Sequence, residues 1–222
     1  MKHMASLLVL LILLAACGAE NKTGQVVDTP QPVPAADAEP GEGIAWFDGS
    51  VDEAFALAKD TDKPVFLYWG AEWCPPCHAI KATIFSKPEF IERSKLFVPV
   101  YLDGDEQNAQ AYGEKFGVRG YPTMIVFSSE GEELTRIPGG IDIQAYANIL
   151  DTTLTASSSA RSVLEGLMNG AELLAEEDCT LLAYHSWDQD LELNADFDLT
   201  DGFRRVYEAC PTELEAERSI LY

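Results

Sequence analysis

Hydrophobic and polar positions follow two different periods between residues 44 and 155. Ser50 and Glu53 have the spacing of a helix capping box, and apolar residues then recur at helical spacing from Val51 to Ala58. Similar spacing predicts helices at 75–85, 107–116 and 142–154, with a short helical turn that opens at Pro88. Short apolar runs rich in β-branched and aromatic residues predict strands at 64–69, 96–102, 123–127 and 133–137. This order predicts an α/β domain whose mixed sheet is flanked by helices.

The beginning of the chain has a different pattern. An uncharged apolar run extends from Ala5 to Ala16 after Lys2, which is shorter than the ~20 residues that a membrane-spanning helix needs. It predicts a secretory signal over 1–17, and its end at Cys17 resembles the lipobox of bacterial lipoproteins. The resemblance implies that Cys17 is lipidated, and Ala19 weakly favours the outer membrane. An ordinary signal peptide and an uncleaved helical anchor are the alternatives.

Two further segments lie outside the α/β pattern. Residues 18–43 contain four prolines and no hydrophobic period, which predicts a flexible tether. Residues 160–222 show amphipathic helical spacing and predict a small all-α extension. Three roles for this extension stay open: a substrate-docking module, a partner-binding helical hairpin, or a cap on the first domain. The chain ends on an apolar Ile220-Leu221-Tyr222, so we expect that this extension could be incomplete.

Charge and cysteine content narrow the function. The 222 residues include 15 basic and 37 acidic side chains, a net charge of -22, which argues against nucleic acid as a partner. Residues 163–222 alone carry 15 acidic and 3 basic side chains. Besides Cys17, the chain has four cysteines, at positions 74, 77, 179 and 210. In an exported protein an even number of cysteines fits two pairs, whose connectivity the sequence does not determine.

The segment Glu72-Trp-Cys-Pro-Pro-Cys-His78 carries the main candidate chemistry. Cys74 and Cys77 could form a structural disulfide, bind zinc or exchange disulfides. A disulfide across so short a loop stabilises little, and zinc would need a second pair of ligands or His78. Cys74 precedes a predicted helix, where free N–H groups and the helix dipole lower a thiol pKa. Redox exchange is therefore the favoured interpretation, with no metal or other cofactor.

Two segments, "YWGAEWCPPC" and "FGVRGYPTMIVF", resemble the active-site and cis-proline segments of the thioredoxin family. The resemblance covers about residues 44–155. Within the family, the active-site segment followed by "TIFSKPEF" is most similar to the periplasmic reducing domains of transmembrane thiol–disulfide interchange proteins. It implies that Cys74 attacks and Cys77 resolves the mixed disulfide. It also implies that Trp73 borders the reactive sulfur, that Pro122 is cis, and that the backbone of Tyr121 pairs with an incoming peptide.

The motif also departs from the thioredoxin pattern. The strand before it, from Val65 to Trp69, contains no buried acid, so Glu72 is the nearest carboxylate. His78 stands where thioredoxins carry lysine, and we expect it to be a solvated helix residue. Pro75 and Pro76 have no N–H to donate to a Cys74 thiolate. Fewer hydrogen-bond donors stabilise the thiolate less, which favours a more reducing Cys74–Cys77 couple.

The sequence therefore predicts a lipid-anchored thiol–disulfide oxidoreductase on the periplasmic side of a bacterial envelope, more readily a reductase than an oxidase or isomerase. Its expected partners are protein thiols or disulfides and a transmembrane electron donor. The rival hypothesis is a non-catalytic binding lipoprotein in which the Cys74–Cys77 disulfide stays locked. We also predict a structural disulfide between Cys179 and Cys210, because an oxidising compartment disfavours idle thiols and acidic neighbours disfavour a second nucleophile. Two free, buried cysteines are the alternative.

Overall fold

The computed structural model describes residues 43–139, 141, 143–155 and 158–221. The predicted signal, Cys17 and nearly all of the tether lie outside these residues. The described chain contains a four-stranded sheet and ten α-helices, with a π-helical turn at Lys81–Phe85. The helices and strands, in chain order, are α1 Val51–Thr61, β1 Val65–Gly70, α2 Pro75–Ile80, α3 Pro88–Ser94, β2 Val98–Asp103, α4 Gln107–Lys115, β3 Thr123–Phe127, β4 Glu133–Ile137, α5 Ile143–Thr155, α6 Ala160–Met168, α7 Glu176–Ala183, α8 Leu191–Asp196, α9 Leu199–Ala209 and α10 Glu215–Leu221.

The sheet has the strand order β2-β1-β3-β4. Strand β1 pairs in parallel with β2 and antiparallel with β3, and β4 is antiparallel to β3. All six residues of β1 are buried, and alternate side chains enter two separate apolar clusters. Phe66 and Tyr68 belong to one cluster, and Leu67 and Trp69 to the other. The predicted α/β fold with a mixed sheet flanked by helices is confirmed.

The capping box at the start of α1 is present. Ser50 Oγ accepts from the Glu53 N–H at 3.2 Å, and Glu53 Oε2 accepts from the Ser50 N–H at 2.8 Å. These reciprocal bonds satisfy donors that the first helical turn leaves without an intrahelical partner. The local pattern of the sequence was sufficient to predict this helix.

Two predicted elements differ from the structure by more than one residue at one end. The α-helix predicted for 75–85 ends at Ile80, and its last turn is π-helical. The wider turn still buries Ile84 and Phe85. The strand predicted to begin at Leu96 begins at Val98, because the Lys95 and Leu96 N–H groups bond back to α3 and leave the Leu96 side chain exposed.

In the C-terminal extension, α6 packs against β4 and α7 packs against α5. Their buried side chains belong to the same apolar cluster as Phe66 and Tyr68 of the sheet. The Ser186 N–H donates to the Arg136 carbonyl of β4 at 2.8 Å, so the extension bonds to that edge strand. Among the described residues, no helix combines the length and the apolar character needed to cross a membrane.

A disulfide joins two helices of the extension. Cys179 lies in the first half of α7, Cys210 follows the last residue of α9, and their Cα atoms are 5.4 Å apart. Both cysteines are buried. The bond closes 31 residues of chain and ties α7 to the end of α9.

Candidate active site

Cys74 and Cys77 form a disulfide at the beginning of α2, with a Cα–Cα distance of 5.2 Å. Cys74 has extended backbone and is the N-cap of the helix. Its Sγ accepts from the Cys77 N–H at 3.2 Å, which is the contact that would stabilise a thiolate at this position. Cys74 is 2% exposed and Cys77 is fully buried.

The two prolines between the cysteines limit the donors around Cys74. Pro75 and Pro76 are exposed and occupy the first turn of α2, where helices tolerate proline. Neither has an N–H, so the Cys77 N–H is the first in this helix that can reach the Cys74 sulfur. That N–H is shared with the Cys74 carbonyl, which lies 3.0 Å from it.

Trp73 lies beside Cys74 and is 65% exposed. Its indole Nε1 donates to both carboxylate oxygens of Asp105, at 3.0 and 2.9 Å. Its ring centroid is 6.1 Å from that of Tyr121. The sequence did not indicate the role of Asp105, which comes 32 residues later and orients the exposed indole.

The Tyr121–Pro122 peptide bond is cis. A Cβ on Gly139 would lie 2.8 Å from Pro122 Cγ, so only glycine permits this approach of the chain. Tyr121 Oη donates to the Gly104 carbonyl at 3.0 Å. Burial, followed by the charges of Asp105 and Asp103, raises the Tyr121 pKa, so the phenol stays protonated at neutral pH. The structure thus brings Trp73, Tyr121 and the cysteine pair to one end of the sheet.

His78 and Glu72 lie on the outer side of the motif. His78 Nε2 is 2.5 Å from the Glu72 carbonyl oxygen, a contact that needs the proton on Nε2. The Glu72 carboxylate faces Lys81, whose Nζ is 3.7 Å away. Both His78 and Glu72 are exposed. Within the described part of the chain, neither side chain forms a hydrogen bond with a cysteine sulfur.

Sequence reasoning missed two tyrosines with buried hydroxyl groups, Tyr68 and Tyr101, on neighbouring strands of the sheet. Tyr68 of β1 pairs with Tyr101 of β2, their rings are 5.6 Å apart, and neither buried hydroxyl has a hydrogen-bond partner. A Cβ on Gly70 would lie 2.8 Å from Tyr68 Oη, which places that hydroxyl against the residue four before Cys74. Burial raises the pKa of Tyr68 above its ordinary value and that of Tyr101 to about 12. The strand before the motif therefore presents a neutral phenol.

In the described part of the chain, no group of three or more histidine, cysteine, aspartate or glutamate side chains is placed to hold a metal ion. The chemistry that this site can perform with its own atoms is thiol–disulfide exchange at Cys74 and Cys77.

Comparisons with known proteins match the part of the sequence that contains this site. Residues 51–154 match the family model of a thioredoxin-like domain. The chain is 29% identical over 109 residues to thiol:disulfide interchange protein DsbD 1 of Pseudomonas aeruginosa, covering 47% of this chain and 18% of that protein. It is 27% identical over 150 residues to disulfide bond reductase DsbH of Chlamydia pneumoniae, covering 59% of this chain and 83% of that protein. A solved DsbH oxidoreductase matches with a TM-score of 0.45 and 23% identity, over 56% of this chain and 90% of that one.

The chain spans only about a fifth of the length of the DsbD relatives that it matches. The segment matched by the family model contains the Cys74–Cys77 disulfide and the Tyr121–Pro122 bond, and it ends before the helices α6 to α10. Residues 51–154 therefore form a thioredoxin-like domain that is homologous to the thiol–disulfide interchange proteins DsbD and DsbH.

Proposed function

We propose that this chain is a thiol–disulfide oxidoreductase that reduces protein disulfides, with Cys74 as the attacking and Cys77 as the resolving thiol. The observation that carries the proposal is the position of Cys74. Its sulfur lies at the start of α2, accepts the Cys77 N–H at 3.2 Å, and is flanked by the exposed Trp73. The cis Pro122 lies at the same end of the sheet.

The reaction follows from the two sulfurs. In the reduced protein, the Cys74 thiolate attacks one sulfur of the substrate disulfide, so that bond breaks, a Cys74–substrate disulfide forms, and the other substrate sulfur leaves as a thiolate. The Cys77 thiolate then attacks Cys74 Sγ and releases the second substrate thiolate. Two electrons have passed to the substrate, and the protein is left with the Cys74–Cys77 disulfide. A second protein dithiol, in a membrane-bound donor, must reduce it again.

The donor set around Cys74 supports the reducing direction. Stabilising the thiolate makes the reduced form more favourable and the couple more oxidising. Here the prolines at 75 and 76 remove two N–H groups, and the Cys77 N–H is shared with a carbonyl oxygen. The apolar surroundings of Cys74 disfavour charge further. A weakly stabilised thiolate implies a reducing couple.

We also propose that the protein acts outside the cytoplasm, anchored by a lipid on Cys17. The lipobox-like sequence at 14–17 supports the anchor, and the Cys179–Cys210 disulfide suits an oxidising compartment. Cys17→Ser should move the protein from the membrane fraction to the soluble fraction of the cell envelope. Retention of the variant in the membrane would contradict lipid anchoring.

Two measurements test the proposed activity on the purified full-length chain. Equilibration with a series of glutathione ratios should give a Cys74–Cys77 potential near about -270 mV, as in thioredoxin, and not near about -120 mV. The chain should also reduce a peptide with one disulfide in the presence of excess dithiothreitol. Cys74→Ser should abolish this turnover, and a wild-type chain that turns over no disulfide in either direction would refute the proposal.

One observation favours a second candidate function. Cys74 is only 2% exposed in the disulfide form, so an attacking thiol has little access to its sulfur. A thioredoxin fold with a locked disulfide would serve as a binding protein in the envelope. In that case dithiothreitol would not reduce the Cys74–Cys77 disulfide in the folded chain and would reduce it only after unfolding. Reduction of the native chain within minutes would exclude the binding-only function.

A further inference from the structure

The segment between α7 and α8 reaches the cis-proline end of the sheet through the side chain of Gln189. Thr123 directly follows the cis Pro122 and is buried. Its hydroxyl lies 2.7 Å from the Gly120 carbonyl and 3.0 Å from Oε1 of Gln189, which belongs to the extension. A hydroxyl can donate to one partner and accept from another, and a glutamine amide can present either atom. Both contacts can therefore be satisfied at once.

Arg136 connects the same parts of the chain from β4. Its guanidinium donates to the Gln189 carbonyl at 3.2 Å and to the Phe116 carbonyl at 2.7 Å. Phe116 follows α4 and precedes residues 117–122, which we call the cis-proline loop. Glu133 accepts from two other N–H groups of Arg136, at 2.6 and 2.9 Å, and Arg136 is only 6% exposed. The two ends of the cis-proline loop are thus tied to Gln189, one through Arg136 and one through Thr123.

The segment that carries Gln189 is itself held in place. The Trp187 indole donates to the Leu182 carbonyl at 2.9 Å, and the Trp187 carbonyl accepts from Asn194 Nδ2 at 2.7 Å. Asp190 caps α8 through the Leu193 N–H and also contacts buried His185. Residues 186–190 therefore form a rigid support, while Gln189 is only half-buried and lies at the edge of the loop.

We propose that Gln189 is a positioning residue for polypeptide substrates, holding the cis-proline loop in the conformation that an extended peptide needs. This inference rests on the proposed function and on the pairing of the Tyr121 backbone with the substrate that the resemblance to the thioredoxin family implies. The C-terminal helices are then part of the substrate site. Small-molecule disulfides, which only the Cys74 thiolate needs to reach, do not depend on Gln189.

Gln189→Ala tests this role, because it removes the side-chain contact with Thr123 and leaves the backbone bond to Arg136. We expect kcat/KM for a disulfide-containing peptide to fall about fivefold, the factor that a net hydrogen bond of about 1 kcal/mol represents, through a higher KM at unchanged kcat. The rate with hydroxyethyl disulfide and the Cys74–Cys77 potential should not change. Gln189→Glu offers only acceptors, so it cannot bond to Thr123 while that hydroxyl donates to the Gly120 carbonyl, and it should lose peptide activity as Gln189→Ala does.

Gln144→Ala is the matched control, since Gln144 lies on α5 and donates to Asn148. It should leave both activities at the wild-type level. In a Thr123→Val background, Gln189→Ala should cause no further loss, because the partner hydroxyl is already gone. An unchanged KM for the peptide, a parallel loss with both substrates, or additive losses in the double variant would overturn the proposal. A wild-type chain that reduces neither substrate would instead refute the proposed function.

Discussion

Replacing Cys179 and Cys210 together by alanine should lower the free energy of unfolding by about 3.7 kcal/mol. The two sulfurs join α7 to the end of α9 across a sequence separation of 31. Both residues are buried, at 0% and 3% exposure, so alanine is preferable to serine, which would bury two hydroxyl groups. The variant removes the crosslink with little change in local polarity.

The magnitude follows from the entropy of the unfolded chain. Closing a loop of 31 residues removes about 12 cal/mol/K from the unfolded state, or about 3.7 kcal/mol at 25 °C. The same relation gives about 1.6 kcal/mol for Cys74 and Cys77, which are three residues apart. The double variant Cys74→Ala/Cys77→Ala is therefore a matched control that should lose less than half as much stability.

Urea unfolding followed by tryptophan fluorescence measures both effects. Trp69 reports on the sheet and Trp187 on the extension, and both belong to the one compact unit that contains the described residues. With an m-value of about 2 kcal/mol/M, the midpoint should fall by about 1.8 M in a single transition. Equal losses in the two double variants would refute the loop-entropy reasoning. A separate transition for Trp187 would refute the inference that the extension and the sheet share one core.

Three further predictions concern single side chains. Tyr68→Phe should stabilise the chain by about 1 kcal/mol in urea unfolding, since it removes a buried hydroxyl without a partner, and a loss of stability would reveal an unseen partner. Burial raises the pKa of Asp190, but hydrogen bonds from His185 and the Leu193 N–H outweigh it and leave that pKa below its ordinary value. The ionised form thus contributes stability that is complete above pH about 3.9 and is lost as the pH falls through the lower folded-state pKa. The gap between wild-type and Asp190→Asn urea midpoints should therefore close below pH about 4, whereas a constant gap down to pH about 2.5 would contradict the assignment. Ser50→Ala should cost about 1 kcal/mol through loss of the α1 cap, and an unchanged urea midpoint would show that the capping box contributes nothing.

The sequence alone determined the elements that depend on nearby residues. The capping box at Ser50, the buried strand β1 and the α/β order are all contained in short windows, because caps and hydrophobic periods act over a few residues. The Cys74–Cys77 motif was likewise evident from its spacing. The local pattern failed at Leu96, which was predicted to begin a strand. Its N–H instead donates to the carbonyl of Arg93 in the preceding helix, so the turn continues past this residue.

Only the tertiary structure decided which distant side chains meet. Trp73 and Asp105 are separated by 32 residues, and Thr123 and Gln189 by 66. The extension was predicted as helices, but its own pattern did not show that it would bond to the edge of β4 and support the cis-proline loop. Both contacts join polar side chains on distant segments, and which segments meet depends on how the apolar faces of the whole molecule are buried. Tertiary packing leaves no periodic pattern along the chain, so the sequence could not predict which of these distant side chains meet.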